Sequence, residues 1–379
     1  MIAVIGCGGA GGNIADEASK AGFATGAINF SKQDLDSLDN VPLKLRIPGS
    51  EGVGHDRDEA KRLLTKHYKM CVEWIIEHFS SPSIELIIFA TSSGGGTGSS
   101  ITPMLVELMK QMMPEKTYSV IVATPDLSEV DNIQANTLDT VGELSDLDIS
   151  IIPVDNNQIK KYGSISTKSE VYSITNNTVI NHLAKLHSYT ERASKNGTFD
   201  KRDFKTTFRT KGILTFSEFD IFSTANNTFN VSADSVANRI HDIWEKSIYV
   251  PVPRDFVTRA AVIFDGKEDM LQHINHELIF SYFDQGAPID LFEGFYSNNE
   301  ANKIMTVLSG LPWINSRLSQ IDNQIEKNKD KIQQIFSREN QFQAKSTNLF
   351  KKLRVANETE ESKPSSKLSA MDILKKYQN

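Results

Sequence analysis

Thr91-Ser-Ser-Gly-Gly-Gly-Thr-Gly-Ser-Ser100 is the stretch that decides the fold. The run before it, Ile84 to Ala90, is apolar and of strand length, and the run after it, Ile101 to Met112, carries apolar residues at helical spacing. The stretch is therefore a strand-to-helix turn. Consecutive glycines place no Cβ between backbone and ligand, and N–H groups at a helix N-terminus converge on an anion, for which phosphate is the natural candidate. A Walker loop needs Lys followed by Ser or Thr after its glycines, and this turn has neither in place. A flexible glycine-serine spacer is the plain alternative, but a spacer is not wedged between a buried strand and an apolar helix.

The chain opens on a second turn of the same kind. A strand over residues 2–5 ends in Gly6-Cys7-Gly8-Gly9-Ala10-Gly11-Gly12-Asn13, with an amphipathic helix from Ile14 to Lys20. Gly6, Gly8 and Gly11 satisfy GxGxxG, the fingerprint of a dinucleotide-binding unit, which keeps an NADP-dependent oxidoreductase open as an alternative. A NAD fold wants an acid at the end of its second strand, whereas Ala27-Ile28 runs into Asn29-Phe30-Ser31-Lys32, and Ser31 and Lys32 suit a 2′-phosphate. A third strand, Leu43 to Ile47, leads into Pro48-Gly-Ser-Glu-Gly52-Val-Gly54 and a helix from about His55 to Phe79.

After the signature turn come a strand at Ser119 to Ala123, a helix from about Val130 to Leu144 and a strand at Ile149 to Pro153. Strands alternating with helices, with glycine loops at strand ends, predict a doubly wound Rossmann-like parallel sheet in an α/β fold, whose ligands sit at the carboxyl edge. The 379 residues allow two domains, and a net charge of -7 does not suggest generic nucleic-acid adhesion. Cys7 and Cys71, no CxxC and scattered histidines argue against disulfides and structural zinc, and fit a reducing cytoplasm. The first residues enter a strand directly and no apolar run reaches membrane-spanning length, so a cytoplasmic protein with no membrane partner is expected.

Gly6 to Asn13, Ala27-Ile28-Asn29 and Gly94-Gly-Gly-Thr-Gly-Ser99 resemble the nucleotide loops of the tubulin/FtsZ superfamily of GTPases, with order and spacing in agreement over roughly residues 1–310. The resemblance implies GTP or GDP as ligand, accompanied by Mg2+, for which no protein ligand is assigned. Gly8, Gly9, Ala10, Gly11, Gly12 and Asn13 would wrap the phosphates together with Gly94, Gly95, Gly96, Thr97, Gly98 and Ser99, with Asn29, Gly52 and Gly54 completing the site. Glu129 matches the family's ribose-binding acid. Asn156 matches the amide that reads the guanine edge, with Asn157 as the neighbouring register. Tyr172 would stack on the base and Asn176, one turn later, would hydrogen-bond its edge.

The resemblance also implies a central helix over 173–197, stopped by Gly197, and then a catalytic loop with Asp200 and Asp203 at the positions of its two acids. Two carboxylates three residues apart at a helix start can polarise a water, although Asp also serves there as a cap. In the family these acids act on the GTP of the next molecule, so head-to-tail self-assembly into a filament completes the active site. The expected plan is a GTP-binding domain over 1–172, the central helix, a smaller α/β domain over 198–312, a long helix over 313–353 and a flexible tail over 354–379. Within the second domain the pattern predicts strands at Gly212 to Phe216, Ala260 to Phe264, Ile289 to Tyr296 and Lys303 to Leu308, and helices at Ala233 to Lys246 and Glu268 to Tyr282.

Departures from the family are specific. Ser31 stands where an acid is common, Ser100 replaces a final glycine, and Ile133 replaces a basic residue of the division protein. A cell-division GTPase of the FtsZ kind is thus the alternative, and the stretch from Asn29 to Leu38 is more similar to the TubZ group of plasmids and phages. That group implies movement of plasmid or phage DNA through a DNA-binding adaptor held by the C-terminal tail. The long helix carries an apolar stripe at Leu318, Ile321, Ile325, Ile332, Ile335, Phe342 and Leu349, interrupted by Asn328, Glu339 and Ser346, and is expected to lie on the body of its own or a neighbouring subunit. Residues 357–367 read as a linker, and Leu368 to Tyr377 as a short amphipathic motif that would meet the adaptor.

Overall fold

The structure, a computed structural model, describes residues 1–162, 167–221, 231–297 and 302–337, with side chains to residue 330. In chain order the elements are β1 (Ile2–Cys7), α1 (Gly8–Lys20), β2 (Ala24–Asn29), α2 (Lys32–Asp36), β3 (Leu43–Arg46), α3 (Arg57–Phe79), β4 (Leu86–Ser92), α4 (Thr97–Met112), β5 (Thr117–Thr124), α5 (Asp131–Ser145) and β6 (Ser150–Asp155). They continue with α6 (Asn156–Tyr162), α7 (Lys168–Tyr189), α8 (Lys201–Arg209), β7 (Gly212–Asp220), α9 (Ala233–Glu245), β8 (Arg259–Gly266), a 3-10 turn (Glu268–His273), α10 (His276–Phe280), β9 (Asp290–Ser297), β10 (Lys303–Leu311) and α11 (Asn315–Ser337).

Among the described residues ten strands share one sheet in the order β3-β2-β1-β4-β5-β6-β7-β10-β8-β9. From β3 to β6 every pairing is parallel, and β1 lies between β2 and β4, so the strand order reverses direction between β1 and β4. That reversal opens a crevice at the carboxyl ends of those two strands, where both glycine turns emerge. β1, β5 and β6 are buried along their whole length, because helices cover both faces of the sheet. One core lies under α3 and α4 and continues to Trp244 and Phe280 beyond β7. The other packs Ile14, Leu183, Leu186 and Phe208 of α1, α7 and α8 on the opposite face.

The second half is not a separate sheet. β7 joins β6 in parallel through only Ser150 with Gly212 and Ile151 with Ile213, then pairs antiparallel with β10, which pairs antiparallel with β8. This junction depends on pairing between segments remote in sequence, which local periodicity does not report.

Several element bounds differ from expectation for local reasons. α1 and α4 start at Gly8 and Thr97, inside the glycine turns, rather than at Ile14 and Ile101. The central helix begins at Lys168, because Thr167 and Glu170 form a capping box, and it ends at Tyr189, where the Thr190 hydroxyl takes the His187 carbonyl. Gly197, with φ of +139°, lies in the following loop and not at the helix end. The expected helix over Glu268 to Tyr282 is a 3-10 turn and a short α10, divided where the Asn275 side chain caps Leu278 N. Ile321 of α11 is fully buried and Ile325 half-buried, so the described part of the apolar stripe lies on its own chain. The side chains of Ile332 and Ile335, the later stripe positions Phe342 and Leu349, and the tail motif Leu368 to Tyr377 lie outside the described residues.

Candidate nucleotide-binding site

The three glycine turns interlock. A Cβ on Gly98 would sit 2.2 Å from the Cys7 carbonyl oxygen, a Cβ on Gly8 would sit 2.8 Å from the Gly98 amide nitrogen, and one on Gly96 would sit 2.3 Å from the Gly54 oxygen. Gly8 also adopts φ of +72°, which other residues rarely accept. Backbone therefore meets backbone, and N–H groups at the starts of α1 and α4 border one cleft of about 350 Å³. Gly8, Gly9, Ala10, Asn29, Gly52, Gly54, Gly95, Gly96, Thr97 and Gly98 line it. An adjoining hollow of about 160 Å³ is lined by Ala10, Asn13, Gly94, Gly95, Glu129, Asn156, Tyr172 and Asn176. Ala10, Ser92 and Gly95 border both, so the two spaces form one continuous groove.

Three of the sequence candidates stand behind this groove rather than in its wall. Gly11 packs against β4, where a Cβ would meet the Ala90 carbonyl oxygen at 2.1 Å, and Gly12 packs against Leu38. The Ser99 side chain is buried and donates to the Gly95 carbonyl, so its hydroxyl holds the turn together instead of facing the groove. Ser100 does likewise with the Gly96 carbonyl at 2.7 Å.

The signature turn is held from outside by α5. Asn136 Nδ2 donates to the Gly94 and Gly95 carbonyls at 3.2 and 3.4 Å and to the His55 carbonyl at 3.0 Å, while Thr140 donates to the Ser93 carbonyl at 2.9 Å. Drawing carbonyl oxygens towards α5 leaves the N–H groups of the turn for an anion. Arg57, buried at the start of α3, donates to the Ser99 carbonyl at 3.1 Å and is balanced by Glu143 at 2.7 Å.

Acids border the phosphate half as well. Asp34 of α2 lines the cleft and takes a hydrogen bond from Asn29 Nδ2 at 2.9 Å, which gives the buried Asn29 the task of orienting it. Glu51 lines the cleft too. An acid thus stands three residues beyond Ser31, on the facing turn of α2, and only the tertiary arrangement brings it to the glycines.

In the other half, Glu129 pairs with Lys168 at 3.6 Å. Burial would push the Asp126 carboxyl up, but hydrogen bonds from Ser128 and the Lys160 ammonium hold it below its usual range. Tyr172 is 41% exposed, leaving a ring face for stacking, and burial with the charges of Glu129 and Asp126 pushes its phenol up. Thr175 places its hydroxyl 3.0 Å from Asn156 Oδ1 and 2.9 Å from the Val171 carbonyl, so its single proton is shared between them. Asn156 lines the hollow, whereas the Asn157 backbone N–H is tied to Asp155 Oδ1 at 3.0 Å, which places Asn156 and not its neighbour at the groove.

Asp200 and Asp203 lie at the other end of the sheet. Lys201, Phe204, Lys205 and Phe208 of α8 border Ile2, Leu86 and Thr117, the starts of β1, β4 and β5, whereas the groove lies at the ends of those strands. The six residues of β1 alone span about 20 Å. The two acids form a capping box: Asp200 Oδ1 accepts from Arg202 N at 2.7 Å and Asp203 N at 2.9 Å, and Asp203 Oδ2 accepts from Asp200 N at 3.2 Å. The capping role is therefore present, and it occupies one oxygen of each carboxylate. Burial pushes the Asp203 carboxyl up, with the charge of Asp200 adding to it and the hydrogen bond to the Asp200 backbone opposing it.

Residues 1–164 match the tubulin/FtsZ family, GTPase domain. The first 164 residues are thus similar to a tubulin-type GTPase domain. Over 144 residues the chain is 38% identical to the tubulin-like protein TubZ of Clostridium botulinum C phage, a stretch that covers 37% of this chain and 40% of that protein. It is 26% identical over 321 residues to the tubulin-like protein CetZ of Pyrococcus abyssi, covering 81% of this chain and 85% of the relative. It also superposes with a TM-score of 0.75 on a GTPγS-form protofilament of Bacillus thuringiensis serovar israelensis TubZ, at 17% identity over 89% of this chain and 94% of that one, a likeness of fold. The dinucleotide alternative gives way here, since the Gly6, Gly8 and Gly11 turn shares its cleft with a second glycine turn from β4. Among the described residues no helix is long and apolar enough to cross a membrane, and no cluster of three metal-binding side chains occurs.

Sequence reasoning missed Asp34, Asn136, Arg57 and Thr175. None carries a local signal, because each acts through a partner distant in the chain or on a different element.

Proposed function

We propose that this chain binds GTP in the groove, assembles head to tail, and hydrolyses the nucleotide at the contact between molecules. The observation that supports this most is the separation of the two halves: the glycine turns are at one end of the sheet and Asp200 and Asp203 at the other. No bending within one chain brings these acids to its own groove, but stacking a second copy on the first does. Because such a contact is heterologous and does not close, it propagates as a filament.

In this reading the backbone N–H groups of Gly8 to Ala10 and Gly95 to Gly98 hold the phosphates, Glu129 accepts from the ribose hydroxyls, and Tyr172, Asn156 and Asn176 hold the base. Asp203 of the next molecule, with its carboxyl pushed up, orients and polarises the attacking water while Asp200 fixes its geometry. The carboxylate of Asp34 beside the glycine turns suits Mg2+, a hard cation that takes oxygen ligands and neutralises phosphate charge. We further propose that the filament positions plasmid or phage DNA through an adaptor bound by residues 354–379, a reading supported by the phage origin of the TubZ relative. The CetZ relatives, matched over most of their length, favour a cellular filament role as the second reading.

GTP turnover measured against protein concentration, with electron microscopy of the same samples, tests the assembly reading. Turnover per molecule should rise steeply above a threshold at which filaments become visible. A specific rate that stays constant on dilution, with no polymer, removes it. For the DNA reading, full-length chain and a chain ending at residue 353 should differ in retaining adaptor–DNA complexes, and equal retention removes it.

A further inference from the structure

We propose that Arg317 is a positioning residue for the nucleotide site, reaching from α11 to hold in register the two loops that carry Glu129 and Asn156. The proposal rests on the nucleotide reading above and deepens it. Arg317 is 3% exposed, and neither it nor Asp155 lines the groove. Its Nε donates to Asp155 Oδ2 at 2.9 Å and its Nη2 to Asp155 Oδ1 at 3.3 Å, while the same Nη2 donates to the Pro125 carbonyl at 2.6 Å. Pro125 opens the loop that leads from β5 to Glu129, and Asp155 is the last residue of β6, directly before Asn156.

Asp155 in turn fixes the backbone on both sides. Its Oδ1 accepts from Asn157 N at 3.0 Å, which shapes the turn holding Asn156, and from the Thr124 hydroxyl at 3.2 Å, at the end of the neighbouring strand. One planar guanidinium thus ties two strand ends to a third element. A second tie from the same helix, Asn328 Nδ2 to Asp131 Oδ1 at 2.8 Å, grips the start of α5, just beyond Glu129.

Replacing a whole buried ion pair by apolar residues is often neutral, but removing the arginine alone leaves the Asp155 carboxylate buried without its partner, so Arg317→Met should also lower the unfolding midpoint. What an apolar residue cannot supply is the direction of the three hydrogen bonds. A lysine keeps the charge but cannot reproduce the fork. The role is therefore one of geometry at the ribose and base, and not at the phosphates.

The full chain is titrated with fluorescent GDP and ADP below the assembly threshold, and its unfolding is followed without nucleotide, for wild type, Arg317→Met and Arg317→Lys. Both variants should unfold cooperatively, bind GDP at least about tenfold more weakly, and lose most of their preference for GDP over ADP. A shifted unfolding midpoint with GDP affinity and base preference unchanged means the arginine is merely structural and overturns the proposal. If Arg317→Met does not fold, Arg317→Lys decides by the same two readouts. A wild-type chain that binds no guanine nucleotide overturns the nucleotide reading itself, and this proposal with it, which is distinct from variants that bind like wild type.

Discussion

Gly8 and Gly98 meet backbone to backbone: a Cβ on Gly8 would lie 2.8 Å from the amide nitrogen of Gly98, and a Cβ on Gly98 would overlap the carbonyl oxygen of Cys7. Two turns that are some ninety residues apart in the chain thus form one surface of N–H groups, and neither can be widened without displacing the other.

Substituting this contact should remove binding before it removes the fold. Gly98→Ala is expected to cost about 1–3 kcal/mol by overpacking and to weaken GTP binding about tenfold or more. Gly142→Ala is the control, because that glycine lies inside α5 with open space around its Cα and should be neutral or slightly stabilising. Equal GTP affinity in the two variants, measured by titration with fluorescent nucleotide, would show that the glycine contact does not shape the site.

Tyr172 offers a ring face beside Glu129 and Asn156. Tyr172→Ala should weaken guanine-nucleotide binding by about 1–3 kcal/mol, the usual value of a base stacked on an aromatic ring. Tyr172→Phe keeps the ring and should bind like wild type. An alanine variant with undiminished affinity in the same titration would move the base elsewhere.

For the acids at the start of α8, binding and turnover should separate. Asp203→Ala is expected to retain GTP binding and assembly while turnover falls about a hundredfold or more. It should also lose about 1 kcal/mol of stability through the broken capping box. Loss of binding in step with turnover, in paired binding and phosphate-release assays, would mean that these acids serve the fold alone.

His182 makes the fold sensitive to acid. It hydrogen-bonds Tyr249 at 2.6 Å, and burial pushes its imidazole down from 6.5 to about 4, with Glu218 opposing and Lys185 assisting. Between those two values the unfolded chain takes up a proton that the folded chain refuses. Stability is therefore fully present above 6.5 and is lost as pH falls towards 4, by up to roughly 3 kcal/mol from this group. His182→Asn keeps a partner for Tyr249 and should flatten that loss. Urea unfolding at both ends of the window checks it, and an unchanged slope would assign the acid sensitivity to other groups.

What local sequence could say about the helices was limited by the glycines themselves. Glycine is a poor helix former, so the reading from residues starts helices at Ile14 and Ile101, yet α1 and α4 begin at Gly8 and Thr97. Close approach of two backbones overrides propensity there. The break between His273 and His276 was invisible for the opposite reason, since the apolar spacing continues through it while the Asn275 side chain caps a new helix. Asp34 could not be seen beside the glycines, because Ser31 stands at the family's acidic position and only the α2 turn brings the later carboxylate round.

The sequence by itself determined the alternation of strands and helices, the glycine turns at strand ends and the acids placed three apart, because these are set by period, by missing side chains and by spacing within a few residues. Only the tertiary structure decided that the sheet runs on through β7 by two residue pairs, that Gly11, Gly12 and Ser99 stand behind the groove, and that Arg317 grips Asp155 from 162 positions away. Those features are contacts between segments far apart in the chain, and their energy comes from burial and hydrogen-bond geometry that exist only once the sheet has formed.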